Sequence, residues 1–209
     1  DHYVQHPWIL ADGGLEMVEQ LTKASTGILK SVIEPPIGRA VRVGADEAYI
    51  RPLRESYRTI ADRAALRPLM VGEIVRDWGA QPEEGIWFPY AEQLRDNDLQ
   101  IDLWPLRRTL EVRRTFQGDM ADAGLRWWDY MQYTASAYRT PLSITFAFVA
   151  THNHFALNRG GAVFNRSAPV IKLRDSASEE EHLQLMGLLN SSTACFWLKQ
   201  VSHNMGSTV

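Results

Sequence analysis

The chain of 209 residues lacks the features that mark several common protein classes. Its single cysteine, Cys195, excludes a disulfide framework or a multi-cysteine zinc site and favours a reducing compartment. The longest apolar run, residues 144–150, is far shorter than the roughly 18 residues that a membrane span needs. The amino-terminal residues do not have the pattern of a signal peptide. We therefore expect a cytoplasmic protein with no membrane partner.

Motifs that support catalysis are also missing. The sequence contains no glycine-rich loop for binding phosphates, and Asp12-Gly13-Gly14 is only a turn. It contains no Gly-x-Ser-x-Gly motif, and the apolar neighbours of Cys195 make this residue part of the core rather than a nucleophile. These absences leave the chain without a recognisable catalytic motif.

The composition is that of a globular protein. Hydrophobic residues make up 45% of the chain and charged residues 22%, and seven Trp, seven Tyr and seven Phe supply a sizeable core. The net charge of -3 gives no indication of a nucleic-acid partner. However, 18 of the 22 basic residues are Arg, the cation suited to phosphates, carboxylates and base edges. GC-rich genomes also favour Arg, so this composition has two explanations.

The pattern along the chain predicts an α+β fold, with a mixed, partly antiparallel sheet and a C-terminal helical pair in one domain. We divide that domain into a helical lead-in at 1–36, a mixed α/β core at 37–175 and C-terminal helices at 176–209. The chain does not begin with Met, and its last residues resemble a loop. We therefore expect a piece of a longer protein.

Local patterns predict the individual elements. Helical spacing in residues 14–33 ends at Glu34-Pro35-Pro36, because proline does not continue a helix. The apolar run at 143–150 is typical of a central strand. Other predicted elements are strands at 69–71, 86–90 and 169–173, hairpins at 40–50 and 155–164, the latter turning at Gly160-Gly161, and an aromatic helical patch at 125–131.

The C-terminal part has the strongest helical pattern. Ser176 or Ser178 caps a helix that begins with three glutamates, which are favourable at the positive end of a helix dipole. Asn190-Ser191-Ser192 then separates it from a second helix. The predicted buried face of the first helix consists of Leu183, Leu185, Met186, Leu188 and Leu189.

Thr151-His152-Asn153-His154 follows the predicted central strand and has several interpretations. A His-x-His pair on a strand places both imidazoles on one face, as metal sites do. The remaining histidines offer no paired ligand, which disfavours a metal. The histidines are then either bonded to the backbone or part of a recognition loop that reaches a base edge or phosphate.

Two arginine pairs, Arg107-Arg108 and Arg113-Arg114, lie five to seven residues apart. This spacing allows guanidinium groups to line up along a phosphate backbone. The alternative is a solvated helix face partnered by Glu111 and Asp102. Asn165-Arg166-Ser167 is a polar loop of the kind that reads base edges. The aromatic run at 127–133 favours a core over a base-stacking platform.

Three segments, residues 146–155, 165–173 and 188–200, together resemble the C-terminal part of the PglX-type adenine-specific DNA methyltransferases of BREX and phage-growth-limitation defence systems. Residues 71–78 and 103–109 fit the same family in the same order. The break after Leu189 is also similar to target-recognition domains of type I specificity subunits and type IIG enzymes. The methyltransferase motifs, a glycine-rich loop for S-adenosylmethionine and Asn-Pro-Pro-Tyr, do not occur here.

The resemblance implies a target-recognition domain that binds double-stranded DNA for a catalytic domain of the same polypeptide. It implies no cofactor in this chain and S-adenosylmethionine in the parent protein. The alternatives are a protein-interaction module that docks other defence-system proteins or an inhibitor, and a metal-dependent enzyme that uses His152 and His154. We expect one basic face, on which phosphates contact Arg107, Arg108, Arg113 and Arg114, base edges contact His152, Asn153, His154, Asn165 and Arg166, and Arg76 and Lys199 position the DNA.

Overall fold

The computed structural model describes residues 13–38, 40–53, 65–92, 101–138 and 141–202. Helices and short strands alternate along them in an α+β fold, which confirms the predicted fold class. The start of the predicted lead-in and the terminal loop after residue 202 lie outside the described residues. None of the helices within these ranges has the length and apolar composition of a membrane span.

The helices are α1 (Gly14–Ala24), α2 (Asp46–Tyr49), α3 (Arg107–Glu111), α4 (Glu179–Leu189) and α5 (Ser192–Val201). Single 3-10 turns lie at Leu29–Ser31, Gly72–Ile74, Trp104–Leu106 and Ala135–Tyr138. The strands are β1 (Ile33–Gly38), β2 (Val41–Arg42), β3 (Ile50–Pro52), β4 (Leu66–Met70), β5 (Val75–Arg76), β6 (Gly79–Ala80), β7 (Glu84–Trp87), β8 (Arg114–Thr115), β9 (Gly118–Asp119), β10 (Gln132–Tyr133), β11 (Ser143–Phe146), β12 (Phe155–Asn158), β13 (Val163–Phe164) and β14 (Val170–Leu173).

The first sheet has the strand order β1-β14-β11-β12, and all its neighbours are antiparallel. The strands predicted at 143–150 and 169–173 correspond to its two inner strands, β11 and β14, which explains why both are largely buried. The first prediction is too long, because β11 ends at Phe146 and residues 147–150 belong to a loop. Buried Lys172 is the charged residue of β14, and its Nζ donates to the carbonyl oxygen of Leu142 at 3.2 Å. Ile144, Phe155 and Ile171 form the core of this sheet with Met186 of α4.

The second four-stranded sheet has the order β13-β4-β7-β3. Strand β13 is parallel to β4, and the other pairs are antiparallel. Its core is aromatic, because Tyr49, Trp87 and Tyr130 are almost completely buried. The Tyr130 hydroxyl donates to the Trp87 carbonyl oxygen at 2.6 Å, and the Tyr49 hydroxyl donates to that of Trp128 at 3.0 Å. The aromatic run is therefore core, as predicted.

The C-terminal helical pair is confirmed. Ser178 and Glu181 form a capping box, in which each side chain bonds the backbone N–H of the other residue. Helix α4 ends before Asn190, and the Ser191 side chain caps α5 by accepting from Ala194 N at 3.1 Å. The predicted buried face of α4 is partly wrong, because Leu183 and Leu188 are exposed. His182 is buried in their place, and its Nδ1 donates to the Ser178 carbonyl oxygen at 2.7 Å.

Both predicted hairpins pair differently in the structure. The turn predicted at 44–47 and the strand predicted at 48–50 are replaced in part by α2 at 46–49. Strand β2 pairs with β10, and β3 pairs with β7. Gly160 and Gly161 do form a turn, with left-handed φ angles of 101° and 79°. However, the turn connects two sheets, because β12 pairs with β11 and β13 pairs with β4. In both cases the two strands of the predicted hairpin pair with other strands rather than with each other.

Two predicted helical segments are also corrected. Residues 33–36, placed in the helical lead-in, belong to β1, an edge strand whose register shifts between Glu34 and Gly38. An edge position with irregular pairing accommodates proline, which lacks a backbone donor. Residues 125–131 form turns instead of a helix. The Asp129 carboxylate accepts from Arg126 N at 2.8 Å, and this bond closes the turn.

Candidate nucleic-acid interface

Ser167 connects three loops that are distant in sequence. Its carbonyl oxygen accepts from Phe148 N at 2.9 Å, and its Oγ accepts from Gly72 N at 2.8 Å. Within its own loop, its N and Oγ both donate to the Asn165 side-chain oxygen, at 2.9 and 2.8 Å. Residues 72–80, 147–154 and 165–168 therefore form one connected surface, which we name the loop surface.

Gly72 allows this connection because of its missing side chain. A Cβ atom at position 72 would overlap the carbonyl oxygen of Ser167. The loops approach each other so closely only because residue 72 is glycine. The 165–168 loop is fixed to the second sheet as well, since Asn165 N donates to the Met70 carbonyl oxygen at 3.1 Å.

Asn153 ties the loop surface to the C-terminal helices. Its side-chain nitrogen donates to the carbonyl oxygens of Leu189 and Ser191 at the junction of α4 and α5. Asn190 completes the connection by exchanging two hydrogen bonds with the backbone of Phe155, at 3.0 and 2.8 Å. Asn153 is predicted to face a base edge, and in the structure its amide nitrogen is engaged in holding the loop in place.

Asn165 also has a positioning role, because its side-chain oxygen accepts two bonds from Ser167. The predicted residues that this surface exposes are His152 and Arg166, and His154 is half-buried. His152 Nδ1 lies 3.0 Å from the Thr151 hydroxyl, in a loop rather than on a strand. Arg76 is exposed too, and its Nη1 donates to the carbonyl oxygens of Gly72 and Val75 at 2.7 and 2.6 Å.

The loop surface also exposes aromatic and apolar side chains that were not among the predicted site residues. Trp78, Phe148 and Val149 are 53%, 58% and 62% exposed. Trp78 stands in the two-residue turn between β5 and β6, which we name the tryptophan hairpin, and this hairpin packs beside β12. The Asp-x-Gly spacing of residues 77–79 was the available sequence indication of this turn.

The tryptophan hairpin has an unusual backbone. Asp77 and Trp78 have left-handed φ angles of 47° and 74°, whereas the neighbouring Gly79 is not left-handed. A two-residue hairpin of this type needs two such residues and normally uses Asn or Gly. A bulky residue in that conformation costs on the order of 1–3 kcal/mol. The turn therefore keeps an aromatic side chain at its tip at the expense of stability.

Residues 107–114, the arginine segment, are divided between core and surface. Arg113 is only 7% exposed, and its guanidinium donates to the carbonyl oxygens of Val43 and Trp127, both at 2.7 Å. It donates further to those of Leu110 and Asp129, both at 2.9 Å. Arg113 cannot reach a phosphate while these bonds hold, so the phosphate contact predicted for it is wrong.

Arg113 also contacts Tyr49, whose hydroxyl accepts from its Nη2 at 3.4 Å. Burial raises the pKa of Tyr49 to about 12, although the positive charge of Arg113 opposes this shift. The tyrosine therefore stays neutral over the physiological pH range. This arginine stabilises the aromatic core by satisfying four backbone carbonyls from three parts of the chain.

The other three arginines of the segment lie closer to the surface. Arg107 Nε donates to Glu111 at 2.8 Å, as the solvated-helix alternative predicts, and its guanidinium lies 4.7 Å from the Trp104 ring centre. Arg108 and Arg114 are exposed. Lys199 is exposed on α5. These four cations remain candidates for contact with phosphates.

The arginine segment and the loop surface attach to opposite ends of β4. Asn165 bonds to Met70, the last residue of this strand. At the other end of the strand, Leu66 pairs with Trp87 of β7. The Trp87 carbonyl oxygen accepts from the Tyr130 hydroxyl. The residue before Tyr130, Asp129, accepts from Arg113 through its carbonyl oxygen. The two attachment points are about 13 Å apart along the strand. The arginine segment and the loop surface are therefore anchored at different points of the fold.

Across the described ranges, no group of three or more His, Cys, Asp or Glu side chains is arranged to hold a metal ion. No protein-family model matches the chain. The chain is 46% identical over 213 residues to "Adenine-specific methyltransferase PglX" of Streptomyces coelicolor (strain ATCC BAA-471 / A3(2) / M145). That alignment covers 98% of this chain and 17% of the relative, so the chain corresponds to about a sixth of that protein. The predicted resemblance to PglX-type methyltransferases is thereby confirmed.

Proposed function

We propose that the chain is the DNA target-recognition region of a PglX-type, site-specific N6-adenine DNA methyltransferase of phage defence. Similarity to part of an adenine-specific methyltransferase supports the family. In this proposal the chain binds duplex DNA in the cytoplasm and reads its sequence. A catalytic domain of the same polypeptide holds S-adenosylmethionine and transfers the methyl group, since the catalytic motifs do not occur in this chain.

The observation that carries the proposal is the bond network of Ser167. Loops that read base edges must hold their side chains in fixed positions, because discrimination between bases depends on hydrogen-bond geometry. Ser167 joins the three loops of the loop surface through backbone and side-chain bonds. The result is a rigid surface that presents polar and aromatic side chains from separate parts of the sequence.

Base reading in this proposal belongs to His152, His154 and Arg166. Arg binds guanine through two parallel bonds in the major groove, and His offers one donor and one acceptor. Asn153 and Asn165 act indirectly, because their bonded amide atoms hold the loops that carry these residues. Arg76 similarly holds the turn at residues 72–75.

Phosphate contact belongs to Arg107, Arg108, Arg114 and Lys199. The loop surface itself contributes little net charge, because Glu73 and Asp77 balance Arg76 and Arg166. Salt-dependent affinity comes from cations that neutralise phosphates, whereas sequence preference comes from base contacts. We therefore expect the two groups of residues to contribute separately to affinity and to sequence preference.

Selection from a pool of random-sequence duplexes tests this function directly. The 209-residue chain should enrich one sequence, which fluorescence anisotropy then compares with a scrambled duplex of the same composition at two salt concentrations. We expect tighter binding of the selected duplex at both. Failure to enrich any sequence, together with no salt-dependent binding, would show that this region does not recognise DNA.

One observation favours the alternative of a protein-interaction module. Ile101 and Val112 are each 72% exposed, and Phe116 is 99% exposed, around the arginine segment. A contiguous exposed apolar patch is typical of protein contacts, and these three side chains lie close together in the sequence. Comigration with purified defence-system proteins in gel filtration, with no binding to any duplex, would favour this alternative.

A further inference from the structure

Trp78 is the most distinctive side chain of the loop surface that the proposed function leaves without a role. It is 53% exposed at the tip of the tryptophan hairpin, and its backbone is left-handed. A Gly at position 78 would relieve this conformation. The fold instead presents an indole ring at the tip and leaves the next residue, Gly79, outside the left-handed region.

The base of the hairpin is held on two sides. Gly72, at the start of the segment that leads into β5, donates to Ser167 Oγ at 2.8 Å. The guanidinium of Arg76 bonds the carbonyl oxygens of Gly72 and Val75, and the hairpin packs beside β12. The base of the hairpin is therefore fixed to the rest of the fold, and the half-exposed indole ring projects from it.

The surroundings of Trp78 indicate the chemistry of that partner. Phe148 and Val149 are exposed on the loop that Ser167 joins to Gly72, so the loop surface presents apolar side chains as well as arginines. A phosphate cannot stack on an indole ring, whereas a nucleobase offers a flat face on which the ring stacks. Apolar side chains that enter a duplex between base pairs unstack the step and bend the DNA.

We propose that Trp78 inserts into the bound duplex and stacks on a nucleobase beside the recognised sequence. This inference rests on the proposed DNA recognition. It assigns to the tryptophan hairpin a contact by shape and stacking that complements the hydrogen bonds of Arg166 and the histidines. Because every base has an aromatic face, the contact adds affinity and local unstacking more than sequence preference.

The test compares Trp78→Phe, Trp78→Ala and Phe116→Ala with the unchanged chain on its selected duplex. Phe116→Ala is the matched control, since it removes an exposed aromatic ring from another hairpin tip. Trp78→Ala should weaken binding roughly fivefold to a hundredfold, the range for losing one stacked base. Trp78→Phe should retain most of the affinity, and Phe116→Ala should bind within about twofold of the unchanged chain.

A second readout reports the unstacking itself. With 2-aminopurine placed in turn at each position of the duplex, the unchanged chain and Trp78→Phe should alter the fluorescence at one step, and Trp78→Ala should not. Circular dichroism checks that each variant is folded. If Trp78→Ala binds as tightly as the unchanged chain and gives the same 2-aminopurine fluorescence at every position, the stacking role is overturned and DNA recognition is left standing. If the unchanged chain selects no duplex, the proposed function fails, and the stacking role fails with it.

Discussion

Two hairpins expose an aromatic side chain at their tip, and they differ in which residues adopt a positive φ angle. In the tryptophan hairpin, Asp77 and Trp78 themselves adopt the left-handed conformation. In the second hairpin, formed by β8 and β9 and named here the phenylalanine hairpin, Gly118 takes the positive φ angle of 126°. Phe116 is 99% exposed there without a strained backbone. Strain is thus retained in the hairpin that belongs to the loop surface.

The regions to which the two hairpins belong differ in what their hydrogen bonds stabilise. The phenylalanine hairpin follows the arginine segment, where Arg113 uses its guanidinium to satisfy buried carbonyls and stabilise the core. The tryptophan hairpin belongs to a surface whose internal bonds hold loops in position. The comparison contrasts a side chain, Arg113, that stabilises the core with a surface whose bonds position exposed loops.

The largest effect should come from the stabilising region. Arg113→Ala leaves four backbone carbonyl oxygens without their charged donor, so the free energy of unfolding should fall by about 3 kcal/mol or more. Arg114→Ala, one position along and exposed, is the control and should change it by less than about 0.5 kcal/mol. Urea unfolding measures both. Similar values for the two variants would contradict the core role of Arg113.

An intermediate effect is expected where the three loops meet. Gly72→Ala places a Cβ against the Ser167 carbonyl oxygen, so the loops must separate, at a cost of about 1–3 kcal/mol. Gly79→Ala, in the same hairpin, has open space around the added atom and should change stability by less than about 0.5 kcal/mol. Thermal unfolding compares the two. Equal melting temperatures would mean that Gly72 does not set the approach of the loops.

The smallest effect isolates the strain at Trp78. Trp78→Gly and Trp78→Ala both remove the ring, but only glycine adopts a left-handed backbone without cost. The glycine variant should be more stable by about 1 kcal/mol, which is about 2–4 °C in melting temperature for a chain of this size. Calorimetry of both variants measures the difference. If the alanine variant is as stable as the glycine variant, the left-handed backbone at position 78 is not strained.

The elements that the sequence patterns predicted correctly depend on local interactions. The capping box of Ser178 and Glu181, the break at Asn190 and the existence of β11 and β14 can all be read within a few residues. The pattern at Gly160-Gly161 predicted the turn correctly but the pairing wrongly. Strand β13 pairs with β4, almost a hundred residues away, and no local pattern carries that information.

The site residues show the same limit. Arg113 and Arg114 are adjacent and cannot be distinguished by the sequence pattern. Arg113 is buried and bonded to the carbonyl oxygens of residues 43, 127 and 129, whereas Arg114 is exposed. Asn153 and Arg166 both looked like base readers, but the helix junction at 189–191 engages the amide of Asn153. Which polar groups remain available is decided by tertiary contacts.

The central claim, that the loop surface reads DNA sequence, is tested most directly by comparing Arg166→Ala with Arg108→Ala. Fluorescence anisotropy would measure the affinity of each for the selected and the scrambled duplex over a range of salt concentrations. Arg166→Ala should lose most of the preference for the selected duplex, and Arg108→Ala should keep it while binding both more weakly, with a salt slope lower by about 1. Equal loss on both duplexes for Arg166→Ala, with the same fall in salt slope, would contradict the claim.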